Sequence, residues 1–254
     1  MMSNYIFNPL EQFEINIFIP ISFLNLNFAL TNLTLLTILV FFLISLIFYI
    51  SFSKVNLFKS KRFFELNLNW IYVFFSTLTN ENLGLKGQQF VPLLYSLFIY
   101  LLTFNLLGMI PYVFTVTSHI SFTFNLALSL FIGINLMALY INKINTLNLF
   151  LPKGVPFLIT PLLILIELIS YIVKVFTLAI RLFTNMTSGH TLLKIVASFS
   201  WIMFLQGGLF SLLAWFPCIL LILLILLETG IAILQAYVFT LLIIVYLSDV
   251  LYRH

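Results

Sequence analysis

The chain reads as a series of long apolar runs broken by short polar or proline-containing stretches. Residues 1–28 mix apolar side chains with Asn, Glu11 and Glu14, and Pro9 and Pro20 interrupt any long helix. They predict a short interfacial segment leading into a membrane, with a disordered tail as the alternative. From residue 28 to 52 the run is long enough, at ~1.5 Å per residue, to cross ~30 Å of hydrocarbon, and Thr31 or Asn32 is placed to cap its start. Residues 63–82 intersperse Glu65, Asn67, Asn69 and Glu81 among apolar positions, which predicts an amphipathic helix lying on the membrane surface, with a further span as the alternative. Gly84, Lys86 and Gly87 make a loop. Residues 90–110, closed by Gly108 and Pro111, and residues 121–141 then predict two spans forming a hairpin out and back.

Pro152, Gly154, Pro156 and Pro161 break the chain before a run over 161–205 that is far longer than a perpendicular span needs. Such a helix must be strongly tilted, bent or broken, and Gly189 offers a bending point. Gln206, Gly207 and Gly208 predict a turn, and Pro217 opens the last run, 217–252. The expected fold is an all-α polytopic membrane protein, one membrane domain over 1–254. It has about four to five membrane helices plus a surface amphipathic helix and ends in two long, steeply tilted antiparallel helices.

Composition agrees, since 63% hydrophobic and 7% charged residues exclude an ordinary soluble domain. The net charge of +4 is spread by topology rather than gathered into a patch, so no nucleic acid is expected as a partner. Lys54, Lys59, Lys61 and Arg62 form the densest positive cluster and mark the cytoplasmic or matrix side, as do Lys143 and Lys153. The N-terminus then lies opposite, and counting crossings returns Arg253 and His254 to the positive side. Cys218 is the only cysteine, which rules out an intrachain disulfide and a cysteine-based metal or redox site. The three histidines are too scattered for paired haem ligands; no metal and no cofactor is called for, and His119 reads as an ordinary exposed loop histidine. The N-terminus lacks a signal or transit pattern, and the abundance of Phe, Asn, Ile and Leu fits an organelle-encoded or bacterial product.

Two polar strips carry the candidate chemistry. Seven residues return an α-helix to within about 20° of the same face, so Glu167, Lys174, Arg181 and Ser188 line one side of the 161–205 helix. Glu228, Gln235 and Asp249 repeat the spacing on the last helix, interrupted only by Leu242. Lipid cannot hydrogen-bond such groups, so the strips must turn toward each other or toward a third partner and form an aqueous or proton-conducting seam. Arg181 stays charged at any physiological pH and acts as a fixed cation, not a relay; Glu167, fourteen residues away, lies ~21 Å along the axis, too far to pair with it. Glu228 with His190 would make a proton-accepting pair. On an ideal helix, however, His190 sits about 180° around from Arg181, so that pairing asks for a bend near Gly189 or a path along another side. Lys174 and Lys194 read as side chains snorkelling to the interfaces.

The runs AIRLFTNMTSGH (179–190) and GIAILQAYVF (230–239) resemble subunit a of the rotary F-type ATP synthases, especially the mitochondrial form. NPLEQFEI near the N-terminus, NLLGMIPY (105–112) and TPLLILIELISY (160–171) resemble the same family in the same order. The resemblance implies that the long helices pack against a ring of c subunits, with Arg181 facing the ring carboxylates, Gln235 beside it and Asn185 one turn along. It places His190 and Glu228 on the intermembrane-space half-channel and Glu167 and Asp249 on the matrix-side half-channel. It further implies the mitochondrial inner membrane, with the N-terminus on the intermembrane side and the C-terminus on the matrix side. The transported ion would be the proton, and the partners the c-ring, the peripheral stalk, other membrane subunits and lipid such as cardiolipin. The chain itself would carry no site for ATP chemistry. Thr184 departs from the family's small residue and could crowd the ring or add a hydroxyl to the path; Thr187 and Ser188 are also more polar than usual. A quinone-binding or scaffold subunit of a respiratory complex is the alternative, and it would need no central arginine and would show a pocket between helices.

Overall fold

The computed structural model describes residues 10–20, 22–23, 26–27, 29–52, 60–110, 113–143 and 159–252. The predicted breaks at Pro111, Pro152, Gly154 and Pro156 and the charges at Lys54, Lys59, Lys153, Arg253 and His254 lie outside them. Among the described residues seven α-helices follow one another: α1 (Asn32–Phe52), α2 (Ser60–Leu83), α3 (Val91–Gly108), α4 (Ile120–Asn142), α5 (Thr160–Gln206), α6 (Leu209–Leu213) and α7 (Trp215–Tyr252). Among the described residues five segments are long and apolar enough to cross a membrane, carried by α1, α3, α4, α5 and the α6–α7 stretch. Helix α2 is not one of them.

The interfacial segment holds more order than its prolines suggest. Strands β1 (Ile17–Ile19) and β4 (Leu30–Thr31) pair antiparallel around a second short pair, β2 (Ser22–Phe23) with β3 (Leu26–Asn27), making a nested hairpin that delivers the chain into α1. Thr31 caps that helix. Its hydroxyl accepts from the Thr34 amide at 3.3 Å while the Thr34 hydroxyl accepts from the Thr31 amide at 2.9 Å, so two otherwise orphaned amides are satisfied reciprocally.

Helix α3 is the central post. Of its span, 56% is buried, against 17% or less for every other span. Leu94 and Leu101 share an apolar core with Phe75 of α2 and Phe239 and Ile243 of α7, while Phe104 packs in a smaller cluster with Val40 of α1 and Val116. Alanines at Ala127, Ala138, Ala179 and Ala236 are all nearly inaccessible, as expected where membrane helices approach closely on small side chains. Helix α1 shows the opposite environment: among its described side chains Val40 alone is buried, while Phe41, Phe42 and Tyr49 face outward. Such a surface suits hydrocarbon rather than water.

Helix α5 runs 47 residues without interruption, ~70 Å at 1.5 Å per residue, and Gly189 does not break it. Pro161 sits in its first turn, where the missing amide is tolerated. Gly207 and Gly208 take positive φ angles of 69° and 59° and reverse the chain. Helix α7, 38 residues long, then returns antiparallel along α5.

Candidate functional site

The register of α5 on α7 is fixed by three polar pairings. Lys174 Nζ lies 3.4 Å from Asp249 Oδ2. Asn185 Nδ2 donates to Gln235 Oε1 at 2.9 Å. His190 Nε2 stands 3.7 Å from Glu228 Oε1, within ion-pairing reach but beyond a hydrogen bond. The two strips expected from heptad spacing therefore meet, and residues rising along α5 meet residues falling along α7.

Arg181 lies between the first two pairings. Those pairings set the 239–242 turn of α7 opposite it, and Phe239, Thr240, Leu241 and Leu242 offer no acid and no amide. The hydroxyl of Thr240 donates back to Ala236 and Tyr237 of its own helix. Arg181 is exposed while its neighbour Leu182 is fully buried, so its side chain leaves the core side of α5. Among the described residues no carboxylate comes within ion-pairing distance of it. The gap at Leu242, visible in the sequence as a missing member of the heptad, is the reason.

Gly189 explains how His190 reaches Glu228 on an unbroken helix. A Cβ at residue 189 would stand 2.5 Å from Glu228 Oε1 and 2.8 Å from its Cδ. The carboxylate therefore lies flat on the bare backbone of α5 and meets the imidazole from the side. Of the two routes expected, a bend near Gly189 or a path along another side, the structure shows a continuous helix in which Gly189 gives Glu228 clearance to approach. Asn185, Ser188, Gly189 and Glu228 also line an open cavity of about 210 Å³ between α5 and α7, walled by Leu192, Leu224 and Leu227.

At the other end of the seam, Lys174 does not reach for the interface as expected. It pairs with Asp249 and lies over the Tyr246 ring, 5.4 Å from its centroid. Tyr171, one turn before it on α5, donates to Asn135 Oδ1 of α4, tying a third helix to this end. Glu167 lies seven residues before Lys174, ~10 Å along the axis, and is half-buried.

His119 also departs from its reading as an exposed loop histidine. It stands at the N-cap position of α4, where its backbone carbonyl accepts from the Phe122 and Thr123 amides, with its ring stacked on Phe114 at 5.0 Å and its Nε2 inaccessible. Burial holds the imidazole pKa below the ordinary value. Thr184, singled out as a departure in the arginine motif, turns its hydroxyl onto the Ile180 carbonyl of its own helix at 2.8 Å. Asn105 of α3, the first residue of the NLLGMIPY run, has no role assigned to it by the sequence. Fully buried, it donates from Nδ2 to the Ala232 carbonyl of α7 at 3.1 Å. A lone Asn in an apolar span was the available signal.

Five span-length segments, with a seam of polar and ionisable side chains between the two long antiparallel helices, define a polytopic membrane protein. Comparison with known proteins makes this particular. The model of the ATP synthase A chain family matches residues 33–248. The chain is 53% identical over 247 residues to ATP synthase subunit a of Chondrus crispus, covering 97% of each chain. It is 42% identical over 251 residues to that of Marchantia polymorpha, covering 97% of this chain and 99% of the relative, and 38% identical over 246 residues to that of Acanthamoeba castellanii, covering 96% and 98%. The chain belongs to the ATP synthase A chain family.

Proposed function

We propose that this chain is the proton-translocating stator subunit of a rotary ATP synthase in the mitochondrial inner membrane, forming two offset half-channels against a ring of c subunits. One observation carries the reading: Lys174 faces Asp249, Asn185 bonds Gln235 and His190 faces Glu228, while Arg181 between them meets no carboxylate among the described residues. An exposed guanidinium within a membrane-spanning helix is expensive without a partner, and the carboxylate that completes it must come from another chain. A rotating ring bearing one carboxylate per subunit supplies it in turn.

In this mechanism a proton enters from the intermembrane side and is passed through the His190–Glu228 pair to a ring carboxylate. Once neutral, that carboxylate can travel through lipid, which a charged one cannot. After almost a full turn it reaches the side of Asp249 and Glu167, where the proton leaves toward the matrix. Arg181 favours the deprotonated carboxylate as it passes and keeps protons from crossing directly between the half-channels. Asn185 and Gln235, bonded to each other one turn from Arg181, hold that section of α5 and α7 in register. Each proton releases about 2.3 kcal/mol per 100 mV of membrane potential, which appears as torque.

Helix α2 lies on the membrane surface in this arrangement, the N-terminus faces the intermembrane space and the C-terminus the matrix. The remaining faces meet the peripheral stalk, other membrane subunits and lipid, cardiolipin included. Cysteine trapping tests the docking. Thr184 is exposed one turn from Arg181, so Thr184→Cys should form a disulfide with a cysteine placed beside the ring carboxylate and stop ATP-driven pumping reversibly. Absence of the cross-link across the positions flanking that carboxylate contradicts the proposal and returns the quinone-binding or scaffold reading.

A further inference from the structure

We propose that the loop 115–119, buried through Ser118, is the outer section of the proton path, a water-holding polar file through Thr117 and His119 that feeds the His190–Glu228 pair. The inference rests on the half-channel reading above and extends it to residues that no part of that reading uses.

Between α3 and α4 the stretch 115–118 is polar yet buried, and His119 beside it is partly exposed. Thr117 is 0% exposed, and Thr115 and Ser118 are 4% exposed. Thr115 and Ser118 bond each other through their hydroxyls at 2.7 Å and are satisfied. Thr117 Oγ1 and His119 Nε2 are buried with no hydrogen-bond partner among the described residues. The same holds for His190 Nε2, both Glu228 carboxylate oxygens and Asn105 Oδ1. Buried donors and acceptors left bare are costly, and ordered water is the usual remedy.

These atoms belong to one region. The Thr187 hydroxyl reaches the Ser118 carbonyl at 3.4 Å, so the loop abuts the turn of α5 that carries His190 three residues on. Asn105 bonds the Ala232 carbonyl, one turn along α7 from Glu228. Loop, α3, α5 and α7 thus converge on the pair from different sides, and each brings a polar atom that its own chain leaves unanswered. Elsewhere in the described core, side-chain hydroxyls turn back onto their own helix, as Thr79 and Thr240 do.

The chemistry fits proton passage. Burial keeps His119 neutral near pH 7, so one ring nitrogen donates and the other accepts, and the Phe114 stack fixes the ring plane. Thr117 both donates and accepts through one rotating hydroxyl. Each transfer moves one proton from a donor O–H or N–H onto the lone pair of the next group, breaking one such bond and forming one. Reorientation restores the file.

Passive proton flux through the assembled complex in liposomes, driven by a potassium diffusion potential, tests this. Thr117→Val keeps the shape and removes the hydroxyl; His119→Phe keeps the stack and removes both nitrogens. Each should lower flux by about tenfold or more, with Thr117→Ser restoring it. A merely structural Thr117 predicts the reverse, because deleting an unpaired buried hydroxyl should leave flux unchanged and the protein no less stable. Glu228→Gln serves as the control. If Glu228→Gln blocks flux while both loop variants conduct normally, this inference fails alone; if Glu228→Gln itself conducts normally, the half-channel reading fails. Labelling covers poor assembly of the loop variants. In a Cys218→Ser background, Thr117→Cys should react with a small water-soluble thiol reagent far faster than Thr79→Cys, and equally slow labelling overturns the water file.

Discussion

Replacing Gly189 with alanine separates folding from function within one methyl group. In a helix interior the change should gain about 0.5–1 kcal/mol from reduced backbone freedom. Against that, the new Cβ would sit 2.5 Å from Glu228 Oε1, 2.8 Å from Cδ and 3.2 Å from Cγ, where carbon atoms in contact stand ~3.5–4.0 Å apart. The carboxylate must retreat by about 1 Å. It is the free end of a flexible side chain, so the retreat is cheap and the helix gain roughly cancels it. The His190–Glu228 approach, 3.7 Å in the native chain, cannot survive it. A displacement of that size in a proton-transfer pair costs on the order of a hundredfold in rate. The expected result is a complex that assembles normally on native gels and conducts protons about 10²-fold more slowly. Gly133→Ala on α4, where a Cβ meets no atom within 4 Å, should conduct like wild type. Wild-type flux in a fully assembled Gly189→Ala complex would refute the argument that this glycine exists to seat Glu228.

Other outcomes follow from the same geometry. Asn185→Leu and Gln235→Leu should each destabilise the α5–α7 pair, and a double-mutant cycle read by thermal melting should return a coupling of roughly 0.6–1.7 kcal/mol. Lys174→Asp and Asp249→Lys should each impair assembly by setting like charges together, while the swapped double variant recovers much of it; a double variant no better than the singles would remove the pairing. The lowered pKa of His119 means that the fold prefers its neutral form. The stability it lends to the start of α4 is then present above the ordinary histidine pKa of about 6.5 and is lost as pH falls below it. Hydrogen-exchange protection at residues 119–123, taken relative to the intrinsic amide rate at each pH, should fall between about pH 6.5 and 5 in wild type and not in His119→Phe.

The helices were legible because a spanning run leaves a length signature that no turn residue can imitate. The bounds of α1, α3, α4, α5 and α7 fall within a few residues of the apolar runs. Heptad spacing likewise exposed the seam, since seven residues keep a face on both long helices, and the break at Leu242 already marked the level at which Arg181 goes unanswered. The misreadings share one cause: they concern what a second helix does to a residue. Gly189 signals flexibility in a sequence, but against α7 it is a clearance. Lys174 snorkels only if nothing nearer carries a charge, and Asp249 lies seventy-five positions away in the chain. His119 follows a proline-containing loop and reads as solvent-facing until Phe114 covers it. The nested strands before α1 are too short for any alternation pattern to show.

The central claim is that Arg181 is left open for a carboxylate on another chain. ATP-driven proton pumping by the assembled complex carrying Arg181→Ala tests it most directly, with ring content checked in the same preparation. The account predicts that pumping is abolished while the ring remains bound. Pumping near the wild-type rate would contradict it and leave the chain a scaffold.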